Sequence, residues 1–287
     1  MTTNTVKTAA LLGLLSALLV VGGGAIMGRN GLYVGLLLAG IMNFGSYFFS
    51  EKIALMSYSA QPVTPTENPE IYRRVAPIVE RLCQRMGLPL PKLWVIPEQS
   101  PNAFATGRNP HHASVAFTAG ILQVMDDREI EGVVAHELGH VLHRDILISS
   151  IAAMLAGTIT MLATMARWGM IFGGFSRSDD NDRGGGVLGE LLMMILAPIA
   201  AVLIQAAISR SREYDADAAS AKYTGTPYEL ISGLQKLEAY SKRIPMDASP
   251  ATAHMFIVKP FTGKSLMNLF STHPPTADRI ARLQAMR

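Results

Sequence analysis

The sequence predicts an α+β protein, mainly helical, that crosses a membrane with about four transmembrane helices. Of its 287 residues, 49% are hydrophobic and only 16% are charged, a balance typical of membrane proteins. Four apolar runs approach or reach the length that spans a bilayer. The polar segments beside them carry apolar residues at helical and strand spacings, which indicates a folded domain outside the membrane.

The apolar runs divide the chain into four parts. Residues 1–50 are predicted to form an N-terminal transmembrane hairpin, and residues 146–209 a second hairpin. Residues 51–145 and 210–287 are then the two parts of one soluble domain. Two alternatives stay open, because the first run also fits a cleaved signal peptide and the second hairpin also fits a re-entrant loop.

The first hairpin is predicted from two apolar runs, Ala9 to Met27 and Gly31 to Phe49. Only Gly28-Arg29-Asn30 separates them, which favours two adjacent antiparallel helices. Neither run has a polar face, so buried helices of a soluble protein explain them less well than membrane helices.

The second hairpin is predicted from Ile146 to Met165 and from Val187 to Ser209. The latter run contains Glu190 and Pro198, and a proline kink is tolerated in membrane helices. Lys and Arg residues near the ends of the four runs favour, by a narrow margin, a cytoplasmic soluble domain.

The soluble domain begins with one predicted helix and three predicted strands. The helix starts at Asn68-Pro69-Glu70 and stops at Gly87. Lys92 to Ile96 predicts a short strand, and Asn102 to Thr106 can pair with Ala113 to Phe117 across a turn-rich connection. Further helices are predicted at the end of the chain, from Tyr228 to Tyr240 and from Pro275 to Met286.

The domain centres on the helix predicted from Ile130 to Arg144, which contains the pattern H-E-x-x-H. His136 and His140 are four residues apart and share one helix face, so both imidazoles can reach one metal ion. Glu137 is then placed to take a proton from a metal-bound water.

The alternative interpretation of this helix is a solvated face that carries two histidines by chance. Against it, five residues form an apolar stripe that predicts burial: Ile130, Val133, Val134, Leu138 and Val141. Buried polar side chains without partners cost free energy, so a metal ion explains them better.

A metal site of this kind needs a third ligand, for which Glu213 is the candidate. Glu213 and Asp217 are four apart in the helix predicted from Ser211 to Lys222. We expect Glu213 to bind the metal and Asp217 to accept a hydrogen bond from a ligating histidine. Two histidines and a glutamate leave a position open for water, which is typical of catalytic zinc. The alternative is an ordinary charged, solvated helix.

The remaining histidines outside the C-terminal region compete poorly as ligands. His143 lies seven residues after His136, but the long metalloprotease motif places its third histidine after a turn that this sequence lacks. We interpret His143 as a helix-end residue and expect Asp145 to hydrogen-bond near the site. His111 and His112 are interpreted as surface residues of a turn.

The ligand candidates also constrain the topology. The H-E-x-x-H helix precedes the second hairpin and Glu213 follows it, so the chain must cross the membrane an even number of times between them.

The single cysteine, Cys83, excludes an internal disulfide and a cysteine-based zinc site. A net charge of +3 without an aromatic-interleaved basic patch predicts no nucleic-acid partner.

The chain resembles the HtpX-type membrane zinc metallopeptidases, which are relatives of the CAAX prenyl proteases. Besides the apolar runs, four segments carry the resemblance in order: PNAFATG at 101–107, HELGH at 136–140, REYDADA at 212–218 and STHPP at 271–275.

The resemblance implies a gluzincin-like HExxH metallopeptidase domain with one zinc ion per chain. His136, His140 and Glu213 would bind the zinc, and Glu137 would be the general base. It further implies a multi-pass protein of the bacterial inner membrane whose site faces the cytoplasm. Its partners would be the lipid bilayer and polypeptide substrates, namely misfolded or damaged membrane proteins cleaved in stress-linked quality control.

The same resemblance suggests how a substrate is held. Asn102, Ala103 and Phe104 would belong to an edge strand to which a substrate peptide adds by main-chain hydrogen bonds, with Asn102 close to the scissile bond. His273 would help to stabilise the oxyanion, and Arg279 would orient acidic groups of the site.

Three other classes of function fit parts of the sequence. A regulator with a vestigial metal site has no need of Glu137. A transporter with a metal-sensing domain usually carries polar residues near the bilayer midplane, and these runs contain few ionisable groups. An intramembrane-cleaving protease would place the motif inside an apolar run, whereas charged residues flank this one at 126–129 and at 145.

Overall fold

The computed structural model describes residues 3–148, 151, 155, 210–241, 243–244, 257 and 274–286. Within them, an N-terminal helical arm leads into a small mixed sheet and a group of helices. The chain is mainly helical, as the sequence predicts.

The N-terminal arm is helix α1 (Thr3–Ser57), which is broken into two helices at Gly28. Gly28 has φ 60° and ψ −141°, a conformation that glycine adopts at no steric cost, and it lies at the predicted turn. Val6–Gly24 is long and apolar enough to cross a membrane, and Met27–Gly45 with Tyr47–Ser57 meets the same criterion as one bent span.

The second predicted hairpin lies almost entirely outside the described residues, so the prediction of about four spans stays a prediction. Only its first turns are described. Ile148, Ile151 and Leu155 are buried there against Leu11 and Leu15 of α1. The beginning of the third apolar run therefore packs on the first.

The sheet has four strands in the order β1-β2-β4-β3. The strands are β1 (Gln61–Pro62), β2 (Lys92–Ile96), β3 (Ala103–Asn109) and β4 (His112–Thr118). Strands β2 and β4 pair in parallel, while β1–β2 and β3–β4 are antiparallel. The three longer strands agree with the prediction, whereas the two residues of β1 are too few to give a sequence pattern. Strand β3 forms one edge of the sheet.

Six further helices follow α1 in the described part of the chain. They are α2 (Pro69–Met86), α3 (Ala119–Val124), α4 (Asp127–Leu142), α5 (Arg210–Thr224), α6 (Tyr228–Ser241) and α7 (Thr276–Ala285). Helix α3 corresponds to a short helix that the sequence predicts from Ala119 to Met125, and the other five correspond to the helices predicted above, with ends that differ by a few residues. Helix α2 stops at Gly87, as expected, because that residue adopts the left-handed conformation.

Helix α4 is the centre of the soluble domain. Its start is fixed by a capping box, in which Asp126 accepts from the Glu129 amide and Glu129 accepts from the Asp126 amide. Val133, Val134 and Leu138 are completely buried in the main core, together with residues of the sheet and of α2, α6 and α7. The predicted apolar stripe is therefore the buried face of this helix.

The C-terminal end of α1 packs on the sheet beside the edge strand. Leu55 of α1 is buried against Phe104 of β3 and Ala116 of β4. The Glu51 carboxylate accepts a hydrogen bond from Ser114 Oγ at 2.7 Å and lies 3.3 Å from Lys92 Nζ. Edge strand β3 is therefore held between the N-terminal arm on one side and α4 on the other.

Candidate metal centre

Helix α4 carries His136 and His140 on one face, one turn apart. His136 is buried and His140 is partly exposed, and their ring centroids lie 4.8 Å apart. Both Nε2 atoms face helix α5, at 3.7 Å and 3.6 Å from the two carboxylate oxygens of Glu213. The predicted ligands are thus brought together from the two sides of the segment that the sequence predicts to be the second hairpin.

The three side chains suit one metal ion. One ligand atom from each of His136, His140 and Glu213 lies within 4.8 Å of the other two. Tetrahedral zinc with ligands at about 2.1 Å holds its donor atoms roughly 3.4 Å apart, close to the nitrogen–oxygen distances seen here. Two imidazoles and one carboxylate are also the donor set of catalytic zinc sites that keep a position open.

Helix α5 approaches α4 closely enough for this contact because a glycine lies at the crossing. A side chain at Gly139 would bring its Cβ to 3.1 Å from the Ala216 Cα. On the same side of α4, the Ser220 hydroxyl donates to the Gly132 carbonyl at 2.7 Å. Glu213 and Asp217 therefore face the two histidines directly.

His136 is held at its other ring nitrogen by Asp217. The His136 Nδ1 and Asp217 Oδ1 atoms are 2.9 Å apart, and both side chains are 1% exposed. Arg279 of α7 grips the same carboxylate with two hydrogen bonds, of 2.6 Å and 2.9 Å. Its Nη1 atom also donates to the Ile257 carbonyl at 3.1 Å. Asp217 thus occupies the position that the sequence suggested for it, with Arg279 behind it.

His140 is approached at Nδ1 by Asp145, which lies just beyond the end of α4. The helix stops at His143, and Arg144 reverses the chain with a φ of 60°. The Asp145 amide then donates to the His140 carbonyl at 2.9 Å, and its Oδ2 atom lies 3.5 Å from His140 Nδ1. The expectation that Asp145 lies near the site is therefore met.

The two histidines differ in their affinity for protons when no metal is bound. Burial, aided by the positive charge of Arg279, lowers the pKa of His136 to about 4. Burial acts in the same direction on His140, but the carboxylates of Asp145, Glu213 and Glu137 outweigh it and raise the pKa of His140 to about 9. Burial alone would raise the pKa of Asp217, yet Arg279 holds that pKa below its usual value. A cation therefore has to displace a proton from His140.

Glu137 lies between the histidines and the edge strand. It is 4% exposed, and its Oε2 atom accepts a hydrogen bond of 2.7 Å from the Ala105 amide of β3. That amide points away from β4, so the outer edge of β3 faces the carboxylate. This contact could not be predicted from the sequence, because it depends on the packing of β3 against α4.

The predicted substrate-binding residues help to hold the edge strand in place. Asn102 is buried, and its Oδ1 atom accepts hydrogen bonds from the amides of Ala103 and Ile257. The Phe104 ring packs toward α1, with its centroid 6.0 Å from that of Tyr58. Contact between these residues and a substrate stays a prediction.

The other candidate residues fall into two groups. His273 lies outside the described residues, so its role in oxyanion stabilisation stays a prediction. His143 caps the end of α4, His111 lies in the β3–β4 turn and His112 begins β4, and both of the latter are exposed. Among the described residues, His136, His140 and Glu213 form the one group suited to bind a metal.

The chain is similar in sequence to known peptidases over nearly its full length. Residues 69–287 match the sequence profile of peptidase family M48. A protease HtpX homolog from Desulforapulum autotrophicum is 54% identical over 281 residues, which cover 98% of this chain and 89% of that protein. A second, from Syntrophobacter fumaroxidans, is 53% identical and covers 98% of each chain.

The similarity extends to a third relative and to a solved structure. A protease HtpX homolog from Thermococcus kodakarensis is 50% identical over 97% of this chain and 94% of that protein. The crystal structure of S. mikatae Ste24p aligns with a TM-score of 0.55 at 20% sequence identity, which shows a shared fold. That alignment covers 98% of this chain but only 65% of the longer protein.

Proposed function

Because the chain belongs to peptidase family M48, whose members are metallopeptidases, we propose that it is a membrane-bound zinc endopeptidase. It hydrolyses peptide bonds of misfolded or damaged membrane proteins as part of a stress-linked quality control. The observation that carries the proposal is the convergence of His136, His140 and Glu213. Glu137 follows His136 in the sequence and accepts a hydrogen bond from the Ala105 amide of the edge strand β3.

The donor set favours zinc over the hard cations. Calcium and magnesium prefer six or more oxygen ligands, whereas this group offers two imidazole nitrogens and one carboxylate. His136, His140 and Glu213 would hold one zinc ion per chain. When bound, the zinc would lower the pKa of a water molecule and act as a Lewis acid on the scissile carbonyl.

The chain's own residues would move the protons of the reaction. Glu137 takes a proton from the attacking water and delivers it to the departing amine nitrogen, as a general base and then a general acid. The Ala105 amide holds the Glu137 carboxylate in place through its hydrogen bond. His273 would donate to the oxyanion of the tetrahedral intermediate.

A polypeptide substrate would bind in extended form along β3. The described strands leave the outer edge of β3 without a neighbouring strand, and the Ala105 amide on that edge points toward Glu137. A peptide added to this edge by main-chain hydrogen bonds lies beside the catalytic carboxylate. Asn102, Ala103 and Phe104 form the start of this edge, with Asn102 close to the scissile bond.

The proposed organisation in the membrane keeps the four parts that the sequence suggests. Residues 1–50 and 146–209 form the two hairpins, and residues 51–145 and 210–287 form the metallopeptidase domain. The apolar helix Val6–Gly24 supports membrane insertion. The contact between residues on both sides of the second hairpin supports an even number of crossings. We place the domain in the cytoplasm, at the inner membrane of a bacterial cell.

The test is cleavage of an unfolded model protein by the detergent-purified chain, with and without a zinc chelator. The variant Glu137→Gln should retain zinc and thermal stability but lose cleavage by a factor of roughly a hundred or more, because the proton acceptor is gone. Glu131→Gln is the matched control, since Glu131 lies on the same helix and pairs with Arg81 away from the site.

Two results would contradict the proposal. Cleavage that persists in Glu137→Gln would exclude this carboxylate as the base. Cleavage that is unaffected by complete removal of zinc would exclude a metallopeptidase mechanism at this site.

A further inference from the structure

Arg212 is a buried cation beside the metal site that the proposed mechanism does not use. It lies on α5, immediately before Glu213, and only 8% of its surface is exposed. None of its three guanidinium nitrogens makes a hydrogen bond within the described part of the chain. A buried charge is costly unless an opposite charge compensates it, so its position requires a partner.

The partner is Asp145, which also approaches His140. Arg212 Nη1 lies 3.7 Å from Asp145 Oδ1, and the other oxygen of the same carboxylate lies 3.5 Å from His140 Nδ1. Asp145 is 2% exposed, so solvent screens these contacts little. The three side chains form a chain of contacts from arginine to carboxylate to imidazole.

The same order of groups exists at the other histidine. There, Arg279 binds Asp217, and Asp217 contacts His136 Nδ1. Each histidine therefore has a carboxylate at Nδ1 and an arginine behind that carboxylate. The two arginines come from different helices, α5 and α7, so the repetition does not follow from one local sequence motif.

We propose that Arg212 is a positioning residue of the metal site. The Arg212 guanidinium holds the Asp145 carboxylate beside His140, so that Nδ1 of the imidazole faces Asp145 and Nε2 is left to bind the metal. Hydrogen bonding at one ring nitrogen sets which nitrogen serves as a ligand. This inference rests on the proposed function, because it assigns Arg212 to the same zinc site.

The position of Arg212 also joins the two ligand-bearing segments. Asp145 belongs to the turn that follows α4, whereas Arg212 and Glu213 are neighbours on α5. The ion pair therefore fixes the end of α4 to α5 at the level of His140. Without Arg212, the orientation of His140 and the distance between His140 and Glu213 are both less well defined.

The experiment measures zinc affinity of the full-length chain in detergent, stripped of metal and titrated with zinc against a chromogenic chelator. Arg212→Met should bind zinc about 10- to 100-fold more weakly than wild type, as expected for the loss of a group that orients a ligand. Arg212→Lys, which keeps the positive charge, should recover most of this loss. The lysine variant also serves if Arg212→Met does not fold.

A double-substitution cycle separates positioning from general stabilisation. If Arg212 acts through Asp145, then Arg212→Met should weaken zinc binding little further in an Asp145→Asn background. Lys236→Met is the matched control, because Lys236 pairs with buried Glu129 at 2.6 Å outside the site. That control should lower the unfolding temperature and leave zinc affinity unchanged.

The outcomes distinguish this inference from the proposed function. If wild type and Arg212→Met bind zinc with equal affinity, the positioning role of Arg212 is overturned, while the proposed function is not. An equally large effect of Arg212→Met in the Asp145→Asn background overturns action through Asp145. Failure of wild type to bind zinc at all overturns both the inference and the function on which it rests.

Discussion

At the residue scale, the orientation of a histidine ligand depends on the side chains that contact its other ring nitrogen. His136 is fixed by Asp217, and two hydrogen bonds from Arg279 fix that carboxylate in turn. Such contacts set the orientation of the ring and raise its basicity as a ligand. Under the proposed function, the free energy of zinc binding therefore depends on residues that do not touch the metal.

Asp217→Asn tests this dependence. The amide keeps the shape of the carboxylate but loses its charge, and it leaves Arg279 buried without its counter-ion. We expect zinc affinity to fall about 10- to 100-fold and the free energy of unfolding to fall by about 3–5 kcal/mol. Chelator competition and denaturant titration measure the two quantities.

The matched control is Asp215→Asn, because Asp215 is exposed on the same helix. It should change neither quantity appreciably. If both variants bind zinc as wild type does, Asp217 has no part in holding His136 for the metal.

The sequence predicts the individual ligands better than the groups behind them. Two histidines four apart share a helix face whatever the surroundings, and Glu213 and Asp217 follow the same rule. Arg212 gave no signal, because its contact with Asp145 depends on how α5 packs against the end of α4. The hydrogen bond from the Ala105 amide to Glu137 was missed for the same reason, since every residue type carries that amide.

At the scale of elements, the site depends on the crossing of α4 and α5. Gly139 leaves room for Ala216 there, and any side chain at this position forces the helices apart. A separation of a few tenths of an ångström matters because the donor atoms already lie close to the distances that a tetrahedral ion holds.

Gly139→Val should therefore reduce zinc affinity beyond what its effect on stability explains. Overpacking costs about 1–3 kcal/mol of folding free energy. The comparison variant is Gly132→Ala, whose Cβ would lie 2.6 Å from the Leu230 amide nitrogen of α6, away from the ligands. Zinc titration and thermal unfolding of both variants provide the data. Equal zinc affinity at equal loss of stability would show that the crossing at Gly139 has no special role.

The elements themselves were largely predictable. Helix α4 carries a strong start signal in the capping box of Asp126 and Glu129, and helix α2 carries a strong stop signal in the left-handed Gly87. Strand β1 was not predictable, because two residues give no alternation. The order of the strands was not predictable either, since the parallel pairing of β2 with β4 depends on contacts distant in sequence.

At the scale of the whole molecule, two helices that are distant in sequence, α4 and α5, complete one site. In the metal-free protein, the two histidines of this site have different pKa values. The pKa of His140 is raised from 6.5 to about 9, and that of His136 is lowered from 6.5 to about 4. Both shifts link the free energy of unfolding to pH.

The signs of the two effects predict a stability maximum for the metal-free protein near pH 6.5. The proton on His140 is bound more tightly in the folded state, so its stabilisation is complete below pH 6.5 and is lost between pH 6.5 and about 9. Protonation of His136 favours the unfolded state, so stability also falls as the pH drops from 6.5 to about 4. Thermal unfolding across this range, in the presence of a chelator, measures the profile. The alkaline decline should be absent in His140→Gln, and its persistence there would contradict the assignment.

In the proposed mechanism, His136, His140 and Glu213 hold one catalytic zinc ion. The most direct test is the zinc content of the purified full-length chain, measured on the same samples as its cleavage activity. We predict about one zinc per wild-type chain, almost none in Glu213→Ala, and loss of cleavage in proportion to the loss of zinc. A Glu213→Ala protein that retains a full equivalent of zinc and cleaves normally would contradict the account.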